Sequence, residues 1–429
     1  MRKIKIGLVG FGKIGAGVVK ALQSRRALLR QKAGVDIVIS RICDTDLKLK
    51  RPVKVDRKLL TKSIGKILYD PEIDIVVELI GGIHPAKDII LQALREGKHV
   101  VTANKALLSE AGGEIFGLAG RVGLAVGFEA SVGGGIPIIR SLREGFVANK
   151  IDLIYGIING TSNFILSKMT EGGYDFNAAL KLAREKGYAE RNPSLDVDGF
   201  DSSHKLSILA LLGFGINAPP SRIYTEGITA IEAGDIQYAG EQGYAIKLLA
   251  IAKRAGRLLE LRVHPTLIPK KHLLADVGGV YNAIFVKGDL VGENLFYGQG
   301  AGALPTSSAV VSDIVAIAKN IREDKRIEDN ILFRKDVDGI KNMDEVRTRF
   351  YARFSAIDKP GVLARISGIL GKHNISIATV SQKERKTSKV VPIVMMTHEA
   401  YERDMAAALK EIDGLGTIRK KSVRVRIED

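Results

Sequence analysis

KIKIGLVGFGKIG, residues 3–15, joins a short, mostly apolar strand to Gly10-Phe11-Gly12-Lys13-Ile14-Gly15 and then to a helical pattern through Val18, Val19 and Leu22. In that setting the glycines have physical tasks: a tight turn, close approach of backbone to a pyrophosphate, and close packing of helix on strand, with the helix N-terminus facing the phosphates. An ordinary strand-to-helix turn has the same outline, but the strand before and the helix after favour dinucleotide binding. A second strand, residues 36–42, ends near Asp44, which would take a ribose diol as in NAD enzymes. Asp44 lies farther from the last glycine than the usual ~20 residues, which suits a long first helix reaching past Arg30. Arg41, Lys48 and Arg51 stand close enough to hold a 2′-phosphate instead, so the choice between NAD and NADP stays open.

Working outward, strand and helix patterns alternate. Residues 73–80 form a strand ending in Gly81-Gly82, followed by a helix with Pro85 near its first turn. Residues 98–103 form a strand ending in Asn104-Lys105, and residues 123–128 lead into Glu129-Ala-Ser-Val132-Gly-Gly134-Gly-Ile136-Pro137. This alternation predicts a parallel sheet and an α/β Rossmann domain over residues 1–130. Ligands of such sheets bind at the carboxyl ends of the strands, which places Lys105 to reach a cofactor or substrate; a surface charge is the plainer reading. The glycine run after Glu129 exposes carbonyl oxygens. With one carboxylate it either cups a hard cation or turns the chain sharply.

The chain has 429 residues, 45% hydrophobic, with 46 glycines, which suits two or three globular domains with real cores. A formal charge of +17 favours anionic partners, yet Lys and Arg are spread along the whole chain. The densest basic run, residues 48–62, has no interleaved aromatics and no nucleic-acid motif, so a solvated basic face is expected and no nucleic acid. A lone cysteine, Cys43, excludes an internal disulfide and suits a reducing compartment. The N-terminus runs straight into a strand without a signal-peptide pattern, and the apolar run at 206–214 is too short to span a bilayer. A cytoplasmic protein without membrane attachment is expected.

From residue 150 the regular alternation stops. Residues 151–158 read as a strand and 159–163, NGTSN, as a polar turn. Helices follow at 164–169 and 177–187, then a helix is expected between 243 and 255, with strands at 257–268 and 279–286 after it. This predicts an α+β domain over 131–320 that binds substrate and forms a subunit contact, with the 300–320 helix returning to the first domain. Within it, NPSLDVDGFDSSHKLSILA, residues 192–210, carries three acids, a histidine and a lysine into a core helix. If the helix starts near Asp201, that acid and Lys205 lie one turn apart on one face. The pair is either a surface ion pair or a partly desolvated lysine tuned for proton exchange. Gly298-Gln-Gly300-Ala-Gly302 opens a helix whose N-terminus offers donors to a cofactor or is simply capped. After a charged connector, 321–347, the order strand, helix, strand, strand, helix, strand over 348–429 is the ferredoxin-like pattern.

Six motifs in this order resemble homoserine dehydrogenase: GFGKIG, TANKALLS at 102–109, GFEASVGGGIPII at 127–139, GIINGTSNFIL at 156–166, AERNPSLDVDGFDSSHKL at 189–206 and GQGAGALPTSSAV at 298–310. DKPGVLARISGILGKHNISI, at 358–377, resembles the opening of an ACT domain, and the whole resembles the monofunctional form of the family. The resemblance implies NAD(P)H-dependent interconversion of L-aspartate 4-semialdehyde and L-homoserine, on the route to threonine, isoleucine and methionine. It implies that Lys205 donates the proton, with Lys105 beside it at the nicotinamide and Asp201 orienting Lys205. It also implies that Glu190 and Asp196 contact the substrate ammonium or order the pocket, and that Glu129 with the carbonyls of Val132, Gly134 and Ile136 holds a structural sodium ion. Gly10 to Gly15, Lys105 and Gly302 fall at its dinucleotide contacts. Some members carry a further acid where Leu195 stands, so no substrate role transfers there. A homodimer or homotetramer is expected. Threonine is the expected effector of the ACT domain, and truncation before Arg347 is expected to keep activity and lose that control. An amino-acid sensor on a retired nucleotide fold is the competing reading, and the presence of both lysines and Asp201 argues against it.

Overall fold

A computed structural model describes residues 2–324, 337–382 and 390–429. It divides into two compact units. The first takes the described residues of Met1–Ile151, His204–Pro220 and Lys287–Val337. Its sheet has six parallel strands in the order Leu60–Thr61, Asp36–Cys43, Lys3–Val9, Ile75–Glu78, His99–Thr102, Val126–Gly127. That is the order of doubly wound dinucleotide folds, with the switch point between Lys3–Val9 and Ile75–Glu78. Ile4, Ile6 and Leu8 are buried under Val18, Val19 and Leu22 of the Lys13–Ser24 helix, as the 3.6-residue period requires. Val310, Ile314 and Ile317 of the Ala303–Arg322 helix join the same core, so a segment three hundred residues away completes the nucleotide fold.

The long first helix expected from the sequence is two helices, Lys13–Ser24 and Arg26–Ala33, broken at Arg25 where φ is −110° and ψ 15°. The second ends on Gly34 at φ +70°, a left-handed cap.

The second unit takes the described residues of Asp152–Ser203, Ser221–Val286 and Asp338–Asp429. Its strands lie in the order Tyr281–Gly288, Ile151–Ile157, Tyr244–Ala255, Leu258–Pro269, Ile418–Ile427, Arg347–Ile357, Val390–Thr397, Ile377–Gln382. The last four, with helices Val362–Lys372 and Glu402–Asp413, form the expected ferredoxin-like domain around Phe350, Phe354, Ile366, Met395 and Met405. Its final strand pairs in parallel with Leu258–Pro269 through Thr266 opposite Arg426 and Leu267 opposite Ile427.

The helix expected between 243 and 255 is a strand, Tyr244–Ala255, antiparallel to Leu258–Pro269 along its whole length. Its Leu, Ala and Lys content suits a helix, but residues 246–252 are all buried, and a strand covered on both faces shows no alternation to read. The polar turn at 159–163 is a cap followed by helix Gly160–Gly172. The connector at 321–347 lies partly outside the described residues; its described end forms strand Gly339–Ile340, paired with Leu258–Leu259.

Candidate active site

In the first unit the glycine loop is held by sterics. Gly10 has φ +96°, and a Cβ there would lie 2.7 Å from the Leu79 carbonyl; one on Gly15 would lie 2.2 Å from the Gly10 oxygen. Around Gly12, at the helix N-cap, there is open space instead. A phosphate can therefore approach backbone there. Asp44 sits at the end of Asp36–Cys43, where its carboxylate accepts the Phe11 N–H at 2.6 Å and the Asp46 N–H at 2.8 Å. The Arg51 guanidinium stacks 4.6 Å over the Phe11 ring, donates to the carbonyls of Phe11, Leu49 and Asp46, and stands 3.4 Å from Asp44. Arg41 donates to the Lys58 carbonyl. Two of the three basic candidates for a 2′-phosphate are thus engaged with carbonyls, while Asp44 lines a cavity of about 560 Å³ with Val9, Thr45, Lys62, Ile80 and Pro85.

Lys105 begins the Lys105–Val122 helix, and a buried relay sets that start. The fully buried Glu78 carboxylate accepts from the Ile80 and Gly81 N–H groups at 2.8 and 3.2 Å and from the Thr102 hydroxyl at 2.6 Å. Thr102 Oγ1 in turn accepts the Asn104 N–H, and the Asn104 side chain caps Leu107 N–H and donates to the Gly82 carbonyl at 2.6 Å. The sequence reading missed this relay; an acid and a threonine at the carboxyl ends of adjacent parallel strands were the available signal.

The two lysines face one cavity. A cavity of about 380 Å³ is lined by Lys105 and Lys205, by Lys13 and Ile14 of the glycine loop, by Ser131 and Gly134, and by Gly302 with Thr306. Lys205 is 9% exposed. Gly134 has φ +55°, and its Cβ would lie 2.5 Å from the Gly300 oxygen, so the two glycine runs require each other's bareness. Gly302, at φ +120°, opens Ala303–Arg322 as its N-cap.

The Glu129 carboxylate accepts the N–H groups of Ile139 and Arg140 at 2.8 and 2.9 Å, and the Glu129 N–H donates to Asp313 Oδ2 at 2.8 Å. Burial pushes the Glu129 carboxyl up. Burial also drives Asp313 to about 7, against the pull of that N–H and with help from the nearby Glu129 charge. Each Glu129 carboxylate oxygen is thus turned to a backbone donor. Val132 and Ile136 are buried in the same loop, and the Ile136 carbonyl already accepts the Ile138 N–H.

In the second unit two of the expected acids converge. The Asn159 amide donates to Asp196 Oδ1 at 2.7 Å and to Asp201 Oδ2 at 2.9 Å, while its oxygen caps Ser162 N–H at 2.8 Å. Ser162 Oγ donates to the Asp196 carbonyl. The polar NGTSN segment is thus the clamp of the acid loop, a role the sequence reading left unassigned. Gly199, at φ +89°, turns the chain into the Phe200–Phe214 helix, which carries Asp201 and Lys205 one turn apart, both buried. Glu190 is solvent-exposed.

Three family models match the chain: the homoserine dehydrogenase NAD-binding domain over residues 10–129, homoserine dehydrogenase over 137–315, and the ACT domain over 350–417. A homoserine dehydrogenase of Neisseria gonorrhoeae is 43% identical over 433 residues, covering 100% of this chain and 99% of the relative. The crystal structure of a homoserine dehydrogenase from Thiobacillus denitrificans superposes with a TM-score of 0.92 at 44% identity, covering 100% and 99% of the two chains. A hyperthermophilic archaeal homoserine dehydrogenase in complex with NADPH superposes with a TM-score of 0.63 at 26% identity, covering 76% and 99%.

Proposed function

The chain belongs to the homoserine dehydrogenase family, an oxidoreductase acting on the CH–OH group of homoserine with a nicotinamide cofactor, and on that premise we propose the following roles for its residues. The observation that carries the proposal is the cavity shared by Lys105, Lys205, the glycine loop and Gly302. The cofactor supplies or accepts hydride. When L-aspartate 4-semialdehyde is reduced, Lys205 gives a proton to the aldehyde oxygen as hydride reaches the carbonyl carbon, and the bond to oxygen becomes the alcohol of L-homoserine. Lys105, fixed at a helix start by Asn104 and Glu78, stabilises negative charge developing on that oxygen. Asp201 orients Lys205 from one turn away. Asp196, held by Asn159, receives the substrate ammonium together with Glu190. Oxidation of L-homoserine runs the same steps backwards, with neutral Lys205 as the base.

Bare glycine backbone around Gly12, at a helix N-terminus, fits the pyrophosphate. Glu129 and the carbonyls of Val132, Gly134 and Ile136 suit a hard monovalent cation that braces this loop, with oxygen as the only donor type. Threonine feedback through the ACT domain completes the proposal. The test is oxidation of L-homoserine with NAD+ and NADP+, with and without L-threonine, on the wild type and Lys205→Ala. The proposal expects wild-type turnover, and loss of ~100-fold or more in kcat for the variant with cofactor binding retained, the size of a general acid–base contribution. Turnover of the variant within a few-fold of wild type would remove Lys205 from the chemistry.

A further inference from the structure

The acid loop that feeds the catalytic helix is gripped from two sides. Asn159 and Ser162 hold Asp196 and Asp201 on one. On the other, the Ile228 N–H donates to the Val197 carbonyl at 2.8 Å, and contact along this seam is close enough to exclude side chains. A Cβ on Gly227 would lie 2.3 Å from the Val197 oxygen, and one on Gly199 3.0 Å from Thr225. The position of residues 225–228 therefore sets the position of 197–199, at the turn that launches Asp201. Glu226 lies in that segment, its N–H bonded to the Val263 carbonyl at 2.8 Å. Its carboxylate accepts from Arg426 Nη1 at 2.7 Å and from the Tyr224 hydroxyl at 2.7 Å. Arg426, on the last strand of the ACT domain, is fully buried, donates also to the Tyr224 oxygen at 2.8 Å, and is anchored by two bonds to Glu402 on the ACT helix.

We infer that Glu226 is a positioning residue for the substrate-binding acids, and that Arg426 makes the C-terminal strand of the ACT domain part of the scaffold that holds Asp196 and Asp201 in place. The inference rests on the reading of those two acids as substrate-side groups. Burial raises the Glu226 carboxyl, but the Arg426 charge and its hydrogen bonds outweigh burial and hold it below its ordinary value, so the bridge is an ion pair at neutral pH. A shift of the ACT strand along its own axis would pull on 225–228 and hence on the acid loop.

The experiment uses the full chain with Glu226→Ala and Glu226→Gln. The alanine variant is expected to raise KM for L-homoserine about tenfold with cofactor KM within about twofold, the loss expected for one charge-assisted hydrogen bond. Glutamine keeps an oxygen for Arg426 and Tyr224, and is expected to restore most of the affinity. Lowered thermal stability with an unchanged homoserine KM in the alanine variant would make Glu226 merely structural and overturn the inference. Should that variant not fold, Tyr224→Phe, which removes one bond, must show a smaller shift of the same kind; a homoserine KM equal to wild type overturns the inference equally. Wild-type enzyme that fails to oxidise L-homoserine would refute the proposed function itself, whereas active wild type with unaffected variants refutes only the bridge.

Discussion

Asp44 shows how one residue can serve two masters. Its carboxylate already secures the Phe11 N–H and faces Arg51, yet it also lines the cavity beside the glycine loop, where a 2′-phosphate would meet like charge. Replacing Asp44 with serine is therefore expected to raise kcat/KM for NADP+ relative to NAD+ by about tenfold or more, because a serine hydroxyl still accepts from Phe11 while the repulsion is gone. Steady-state kinetics with both cofactors checks this, and an unchanged ratio would place the specificity elsewhere. Asn159 has the same economy: one amide spaces two carboxylates that would otherwise repel, and its oxygen caps a helix. Such dual use ties the geometry of binding groups to local folding.

At the scale of elements, the groups proposed for catalysis stand at the ends of strands and the starts of helices because unpaired backbone groups and open space coincide there. The Lys105 helix start depends on the Glu78, Thr102 and Asn104 relay, which joins the ends of two neighbouring parallel strands. Thr102→Val keeps the shape but strands one Glu78 oxygen and the Asn104 N–H in a buried place. The variant should lose about 1–3 kcal/mol in urea denaturation, the cost of orphaned buried polar groups. It should also raise cofactor KM, because Gly81, Gly82 and Lys105 lose their common anchor. An unaltered midpoint with unaltered kinetics would show that water replaces the hydroxyl without penalty. The strand at Tyr244–Ala255 carries the opposite lesson: helix-prone composition yields when a segment is buried on both faces of a sheet.

At the scale of the whole molecule, the ACT domain is welded into the second unit rather than hung from it. Arg262, 1% exposed on strand Leu258–Pro269, is neutralised by Glu260 at 2.9 Å and by Glu428 at 2.6 Å, and Glu428 comes from the chain's penultimate position. Burial alone would raise the Glu428 carboxyl, but Arg262, Lys253 and the Tyr155 hydroxyl hold it at about 2. Since this lies below the ordinary 4.5, the stabilisation is present above about pH 4.5 and is lost as pH falls toward 2. Glu428→Gln should thus cost about 3 kcal/mol at pH 7 by leaving the arginine short of charge, with the gap to wild type closing below pH 4.5 in denaturant titrations. A constant gap from pH 7 to pH 2 would mean the pair contributes shape rather than charge. The same pair changes the expectation for truncation before Arg347: removing the ACT domain also removes Glu428 and the strand beside Leu258–Pro269. A truncated chain is expected to lose stability along with any threonine response.

Among the described residues no helix is long and apolar enough to cross a membrane, which agrees with a sequence lacking any apolar run of that length. The strand and glycine pattern of residues 3–15, the alternation to residue 128 and the ferredoxin-like order at the C-terminus were legible because they rest on local periodicity and on backbone angles that only glycine adopts easily. Gly10, Gly199 and Gly302 are such positions. The placement of Asp201 and Lys205, the pair proposed for proton transfer, was legible for the same reason, since they are one turn apart on a single helix. Only tertiary structure could bring Lys105 and Lys205 to one cavity, turn the Glu129 carboxylate toward Ile139 and Arg140, hang two acids on Asn159, and carry Arg426 and Glu428 beside the distant strand Leu258–Pro269. Each of those depends on pairing between segments distant in sequence, where register and burial, rather than the residues' own preferences, decide which polar groups meet.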